Sequence, residues 1–393
     1  MPRVFLSVAE PSADASAAML ARELRGLRPD VTLEGLGGPG LQGAGVELLA
    51  ETVSNAAMGL AAVWRAWEVS RLLGRVREAW AQRRPDLLVC TDSWSFHVHL
   101  CRLAKSMGVP VLYYIAPQTW ASREGRVRTL ARLVDKLACI LPFEEAYFRG
   151  FGVDATYVGH PLWDRLPQEV FVGDRERAAG EKLRVREGPV VGVLPGSRRG
   201  VARANWPRLR RVMEQLRERV PGVRFRVPLT AASRDVVRPE SLAADTVAEL
   251  DAVDKLVGGV GLDGGCDVCV CVSGTAALHV AAYTVPMVVV YHGNPVLWHL
   301  VGRWVVRTRT YSLVNLLSGG PERITYGRHI VPEFIPWYGP VEPVVAEVTG
   351  LLTDAGRRAA MRAELARVVA PLARRGASRR AAELAAELLQ RRP

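Results

Sequence analysis

Val268-Cys269-Val270-Cys271-Val272-Ser273-Gly274-Thr275-Ala276-Ala277-Leu278-His279 is the stretch whose reading decides the fold. Its unbroken apolar run, Val268–Val272, reads as a strand buried on both faces. The run stops at Ser273-Gly274-Thr275, and alanine and leucine then begin a helix. Pro286 closes that unit before a second apolar run, Met287–Val290. Strand, helix and strand in this order describe a βαβ crossover, the unit of a parallel sheet. A helix start also carries unpaired N–H groups and a partial positive charge. Glycine lets backbone approach a ligand, so the turn suits a phosphate. A plain strand-to-helix turn reads the same way, and the choice rests on the rest of the chain.

The same alternation runs outward in both directions. Val4–Val8 reads as a first strand, followed by the loop Glu10-Pro11-Ser12-Ala13-Asp14 and an amphipathic helix through Leu27. Strands follow at Val31–Leu36, Asp86–Thr91, Val109–Ile115 and Lys136–Leu141, with a helix at Trp64–Arg83. Asp164–Glu187 is charged, lacks a strand pattern and reads as a linker. The alternation restarts with Pro189–Leu194, the loop Pro195–Gly200, a helix over Trp206–Val220 and a strand at Val223–Leu229. From Val341 onward the chain is helical and rich in alanine and arginine. These patterns predict two doubly wound, Rossmann-like α/β domains facing each other across a cleft. The expected domains are residues 1–168, packed by a returning helical tail 366–393, and residues 187–365.

Composition narrows the class. A chain of 393 residues is too long for one ordinary core, and 49% apolar residues can fill two. The net charge of +12 suits anionic partners, a membrane surface or phosphorylated substrates, and no nucleic-acid motif is visible. Six cysteines in such a length are not a disulfide framework. Cys266-x-x-Cys269-x-Cys271 lies along one strand with no matching second pair, so it does not read as a metal site. A reduced, cytoplasmic protein is expected. No signal peptide is expected, since Arg3 is followed at once by a short strand-like run and Glu10, and no apolar segment of ~20 residues runs uninterrupted. A dinucleotide-dependent dehydrogenase is disfavoured, because no Gly-x-Gly-x-x-Gly follows the first strand.

The loops at the predicted strand ends carry a resemblance. Glu10-Pro11-Ser12-x-Asp14, Gly38-Pro39, Met58-Gly59, Asp92, Ala116-Pro117-x-x-Trp120 and Leu141-Pro142-Phe143-Glu144 occur in order in the first half. Val158-Gly159-His160, Leu194-Pro195-Gly196-Ser197-Arg198, Ser273–Leu278, Asn315-Leu316-Leu317 and Val331-Pro332-Glu333-Phe334 complete the series. Together they cover most of residues 4–335, and the chain resembles the bacterial lipid-A-disaccharide synthases, glycosyltransferases of the GT-B fold. The resemblance implies an enzyme peripheral to the inner face of the inner membrane. It would join UDP-2,3-diacylglucosamine to 2,3-diacylglucosamine 1-phosphate (lipid X), with inversion at the anomeric carbon. No metal or other cofactor is expected, the partners are the UDP-sugar, the acylated sugar phosphate and the membrane surface, and a homodimer is left open.

The resemblance also assigns roles. Asp92, at a strand end, matches the base that takes the acceptor hydroxyl's proton, and a capping aspartate is its structural alternative. Arg198 would neutralise the departing diphosphate, with Gly196, Ser197, Ser273, Gly274 and Thr275 around it. His279 and Asn315 would contact the donor. Glu10, Ser12, Asp14, Met58, Gln118, Trp120 and His160 would line the acceptor half, where Glu10, Ser12 and Asp14 could equally cap the first helix. Trp298, Leu300 and Trp304 beside Arg303, Arg307 and Arg309 combine apolar insertion with cationic attraction to lipid, and Trp64 and Trp67 form a second such group. The chain departs from the family pattern at Ala9, Ala13, Ser95, Ser122, His279 and Pro336. Where His279 stands the family has a ribose-gripping glutamate. A GT-B relative with another UDP-sugar, or a binding paralogue without turnover, therefore stays open.

Overall fold

The computed structural model describes residues 1–53, 62–121, 125–167, 188–250, 253, 265–293, 310–320 and 329–390, with side chains left out over 62–68. The chain divides into two compact units, Met1–Arg165 with Arg374–Pro393, and Leu166–Ala373. Met58, Ser122 and the tryptophan- and arginine-rich segment 294–309 lie outside the described residues, as do the side chains of Trp64 and Trp67.

Unit 1 is a seven-stranded sheet. In chain order its elements are β1 (Arg3–Val8), α1 (Pro11–Leu27), β2 (Thr32–Gly37), α2 (Pro39–Gly43), β3 (Glu47–Glu51), α3 (Ala62–Gln82) and β4 (Leu87–Thr91). There follow α4 (Trp94–Ser106), β5 (Val111–Tyr114), α5 (Gly125–Leu133), β6 (Lys136–Cys139), α6 (Pro142–Arg149), β7 (Ala155–Tyr157) and α7 (Leu162–Arg165). The strands are ordered β3-β2-β1-β4-β5-β6-β7, and every pair is parallel. Because helices cover both faces, the central strands are buried on both sides, and β4 and β5 are apolar or aromatic nearly throughout. Phe5, Trp80, Leu88, Trp94, Tyr113 and Leu137 belong to one core, with Phe5 and Trp80 edge to face at 5.2 Å.

Unit 2 repeats the plan with six strands. Its elements are β8 (Val190–Leu194), α8 (Arg199–Arg219), β9 (Arg224–Leu229), α9 (Ala231–Val237), β10 (Thr246–Leu250), β11 (Val268–Val272), α10 (Thr275–Ala282) and β12 (Met287–Val290). They continue with α11 (Leu313–Leu316), β13 (Glu333–Phe334), α12 (Glu342–Thr353) and α13 (Ala355–Val369). The order is β10-β9-β8-β11-β12-β13, again all parallel. The opening stretch is thus β11 and the start of α10, at the centre of this sheet.

The last helix, α14 (Ala377–Gln390), belongs to unit 1 and packs on α1, β4, β5 and β6. Asp164 fixes its start: the carboxylate accepts the backbone N–H groups of Gly376 (2.6 Å), Ala377 (3.2 Å) and Ser378 (2.8 Å). Arg380 adds a hydrogen bond from Nε to the Val158 carbonyl at 2.8 Å. The Val158-Gly159-His160 segment is therefore the seat of this helix.

Several expectations shift. The helix expected from Trp206 starts at Arg199 and carries Pro207 within it, so Arg199 and Gly200 belong to its first turn and not to the loop. Strands β3, β7, β10 and β13 were not read from the sequence. They are short, and β3 and β10 are half exposed, so no apolar run marks them.

Candidate functional site

In each sheet the strand order reverses once, between the first and fourth strands of the unit. Open parallel sheets bind ligands at that switch point, beyond the carboxyl ends of the strands. In unit 1 it lies between β1 and β4, where Val8 pairs with Thr91. The Glu10 loop and Asp92 leave the sheet side by side there. In unit 2 it lies between β8 and β11, where Leu194 pairs with Cys271. The Gly196-Ser197-Arg198 loop and Ser273-Gly274-Thr275 leave the sheet together.

The unit 2 turn is built to expose backbone donors. Helices α8 and α10 both begin here, and in neither does the N-cap side chain cap the helix. Their first N–H groups are the ones a helix cannot satisfy internally. Ser197, Arg198, Gly274 and Thr275 are exposed. Gly274 has φ +153° and ψ −163°, a region essentially restricted to glycine. Gly196 has φ +104°, and a Cβ there would fall 2.7 Å from Val201 Cγ1. Thr230 holds the loop from the β9 side, donating from Oγ1 to the Ser197 carbonyl at 2.8 Å. His279 is half-buried, one and a quarter turns into α10, with its ring stacked near Tyr283 at 6.0 Å. The two cysteines of β11, Cys269 and Cys271, are buried; the hydrogen bond with Cys266 and then burial raise the Cys269 thiol, and burial raises that of Cys271.

Asn315 lies in α11, which packs against α10, and its side chain is spent on the protein. Its amide nitrogen donates to the Val331 carbonyl (2.9 Å) and to Glu333 Oε1 (2.6 Å). Its oxygen accepts from the N–H groups of Ile330 (2.9 Å) and Val331 (3.0 Å). Glu333 also accepts the N–H groups of Tyr311 and Ser312, so the pair ties α11 to β13.

In unit 1 the turn after β4 is strained. Asp92 and Ser93 are consecutive left-handed residues, with φ +58° and +49°, and Ile115, at the end of neighbouring β5, has φ +66°. Each such non-glycine residue costs about 1–3 kcal/mol and persists only where the surroundings impose it. Here they do. The Asp92 carbonyl accepts the Tyr113 hydroxyl and, at 2.5 Å, the His97 Nδ1–H. His97 Nε2 accepts Ser7 Oγ–H at 3.0 Å. Asp92 itself is half-buried. The sequence reading missed His97, Tyr113 and Ser7. Their signal was a histidine on the apolar face of α4, three residues after Trp94 and four before Cys101, which needs buried partners.

The remaining acceptor-half residues divide. Glu10 is the N-cap of α1 without a capping side-chain bond, Ser12 is exposed in its first turn, and Gln118 is exposed after β5. Asp14 is buried within α1 and caps a different helix from the one expected. Its carboxylate accepts the N–H groups of Gly38 (3.0 Å), Gly40 (2.7 Å) and Leu41 (3.3 Å) at the start of α2. Trp120 is buried edge-on to Phe143, and its Nε1 donates to Glu144 at 3.1 Å. Glu144 also accepts the N–H groups of Ile140 and Leu141. Burial pushes its carboxyl up to about 7 against these three donors. His160 is buried, and its Nδ1 accepts the Leu162 N–H at 3.1 Å. Among the described residues no group of three or more histidine, cysteine or acidic side chains could hold a metal, and no helix is long and apolar enough to cross a membrane.

Two parallel Rossmann-like units with open turns at their switch points are the plan of the GT-B glycosyltransferases. The glycotransferase of kitacinnamycin shares the fold at TM-score 0.59 and 15% identity, over 99% of this chain and all of that one. Within that class the sequence is specific. The family model of lipid-A-disaccharide synthetase matches residues 4–388, and the chain belongs to that family. The lipid-A-disaccharide synthase of Myxococcus xanthus (strain DK1622) is 35% identical over 99% of this chain and 98% of its own. That of Geobacter metallireducens (strain ATCC 53774 / DSM 7210 / GS-15) is 34% identical over 98% and 97%.

Proposed function

We propose that the chain transfers 2,3-diacylglucosamine from UDP to lipid X, releasing UDP and a β-1,6-linked disaccharide 1-phosphate with inversion at the anomeric carbon. The observation that carries this reading is the pair of uncapped helix starts, α8 and α10, side by side at the unit 2 switch point. Their N–H groups, with the Ser273 and Thr275 hydroxyls and Arg198, meet the negative charge that grows on the departing diphosphate. Preorganised donors of this kind are worth about 3–4 kcal/mol each in the transition state.

In unit 1, Asp92 is the general base that takes the proton of the attacking hydroxyl as the new glycosidic bond forms and the bond to UDP breaks. Glu10, Ser12 and Gln118 supply the polar groups around the acceptor, and the resemblance assigns Met58 to it as well. Trp120 and His160 act behind them by fixing loops. Both substrates carry acyl chains, and the net charge of +12 favours an anionic surface, so the enzyme works at the inner face of the inner membrane. The segment Leu297–Tyr311 carries the apolar and cationic residues such an anchor needs.

One assay tests the reading: purified protein with UDP-2,3-diacylglucosamine and lipid X, following UDP release and the disaccharide product. Turnover is expected. Equal release with UDP-N-acetylglucosamine and a non-lipid acceptor would overturn the lipid assignment. His279 favours a second reading, since an imidazole offers a ribose one hydrogen bond where a carboxylate offers two acceptor oxygens. Turnover of a different UDP-sugar, in the absence of turnover with the diacylated donor, would select it.

A further inference from the structure

The left-handed turn at Asp92 is held from three separate elements. Tyr113, in β5, and His97, in α4, both donate to the Asp92 carbonyl, and Ser7, in β1, bonds the far ring nitrogen of His97. The chemistry fixes the direction of each bond. A carbonyl cannot donate, so His97 Nδ1 carries the proton and Nε2 is left to accept from Ser7. Burial lowers the His97 imidazole to about 4, and burial raises the Tyr113 hydroxyl well above its ordinary range, so both keep these roles near neutrality. The Asp92 carbonyl therefore has both lone pairs occupied by donors from the core. The ring of His97 lies edge to face with Tyr113 at 6.0 Å, and Tyr113 with Trp94 at 5.4 Å, which fixes both donors in place.

We propose that His97, assisted by Tyr113, is a positioning residue that locks the main chain of Asp92 in its strained conformation and so sets the placement of the catalytic carboxylate. The inference rests on the reading of Asp92 as the base. It assigns no contact with substrate to His97: the residue acts on the reaction only through Asp92. A base displaced by a fraction of an ångström loses much of its advantage while substrate binding by the rest of the site is untouched.

Two substitutions at one position separate this role from a merely structural one. In His97→Asn the side-chain amide N–H replaces Nδ1–H and keeps the bond to Asp92. In His97→Gln the longer amide reaches the Nε2 position, keeps Ser7 and abandons Asp92. With UDP-2,3-diacylglucosamine and lipid X, His97→Gln is expected to lower kcat on the order of 10–100-fold with KM for the donor unchanged. His97→Asn is expected to recover most of that loss. Tyr113→Phe, which deletes only the second donor, is expected to lower kcat by roughly 3–10-fold, and it decides the question if the glutamine variant does not fold. Equal losses in His97→Asn and His97→Gln, or a loss expressed in KM, would overturn the proposal. So would a Tyr113→Phe enzyme with the parent kcat. The Asp92→Asn background distinguishes this failure from failure of the base. Parent-like turnover by Asp92→Asn alone would discard the base reading. Residual turnover that falls a further tenfold on adding His97→Gln would discard the positioning role and leave the base standing.

Discussion

At the scale of single residues, two backbone conformations mark the chemistry more clearly than any side-chain contact. Asp92 at φ +58° and Gly274 at φ +153° each stand where a parallel strand ends, at the switch point of their unit. The aspartate's position is costly, and it is stabilised by core donors rather than relieved by a glycine. Asp92→Asn keeps that backbone and removes the proposed proton acceptor, so kcat should fall ~10²–10⁴-fold while UDP affinity, measured by calorimetry, stays the same. Lost UDP binding would show that the residue shapes the donor site instead. Gly274 poses the opposite problem. Alanine there must leave the ψ −163° conformation and carry the first N–H groups of α10 with it. Gly274→Ala should weaken UDP binding by roughly 5–100-fold, corresponding to the ~1–3 kcal/mol of a disallowed backbone. Unchanged affinity would remove the α10 start from the diphosphate site.

At the scale of elements, what the sequence made legible depended on whether the signal was local. Strands buried on both faces announce themselves as apolar runs, and β11 was read with the bounds it has, Val268–Val272. The half-exposed edge strands β3 and β10 carry charges among their apolar residues and gave no run. Helix caps supplied from a distance were invisible for another reason. Asp14 caps α2 from 24 residues upstream, and Asp164 caps α14 from 212 residues away, so no window of sequence contains both partners. Asp92 and the two glycine-bearing turns of unit 2 were legible as motifs, whereas His97 and Tyr113, which hold Asp92, become visible only when α4 and β5 are brought together. The Asp164 cap yields its own prediction. Asp164→Ala leaves three N–H groups at the start of α14 without their acceptor, and should lower stability by about 1–2 kcal/mol in urea unfolding. Tryptic cleavage after Arg374 and Arg375, just ahead of the helix, should accelerate more than cleavage elsewhere. An unchanged urea midpoint with unchanged cleavage would mean that the packing of α14 on α1 and the sheet suffices.

At the scale of the whole molecule, two buried groups of unit 1 among the described residues act on the pH dependence of stability near neutrality in opposite directions. His97 ordinarily titrates at 6.5 and in the fold at about 4, through burial. The unfolded chain therefore takes up that proton first, and stability is lost as the pH falls from 6.5 to 4. Glu144 ordinarily titrates at 4.5 and in the fold at about 7, again through burial. Here the native state takes up the proton first, so stability is gained as the pH falls from 7 to 4.5. Each displacement corresponds to about 3 kcal/mol, and the two windows overlap almost completely, so their contributions cancel. Single substitutions should expose each half. Glu144→Gln cannot titrate, and its one oxygen keeps the bonds from Ile140 and Leu141 while the one from Trp120 is given up. Relative to the parent it should lose about 3 kcal/mol as the pH falls from 7 to 4.5, the missing contribution of Glu144, which leaves the acid loss from His97 uncompensated. Relative to the parent, His97→Asn should instead gain a similar amount as the pH falls from 6.5 to 4, the missing loss from His97. Urea midpoints measured from pH 4 to 7.5 on the three proteins decide the matter. The difference between each variant and the parent removes every titration they share. A Glu144→Gln profile parallel to the parent's would mean that the three N–H donors outweigh burial and keep Glu144 ionised. A His97→Asn profile parallel to the parent's would likewise mean that His97 titrates alike in the folded and unfolded chain.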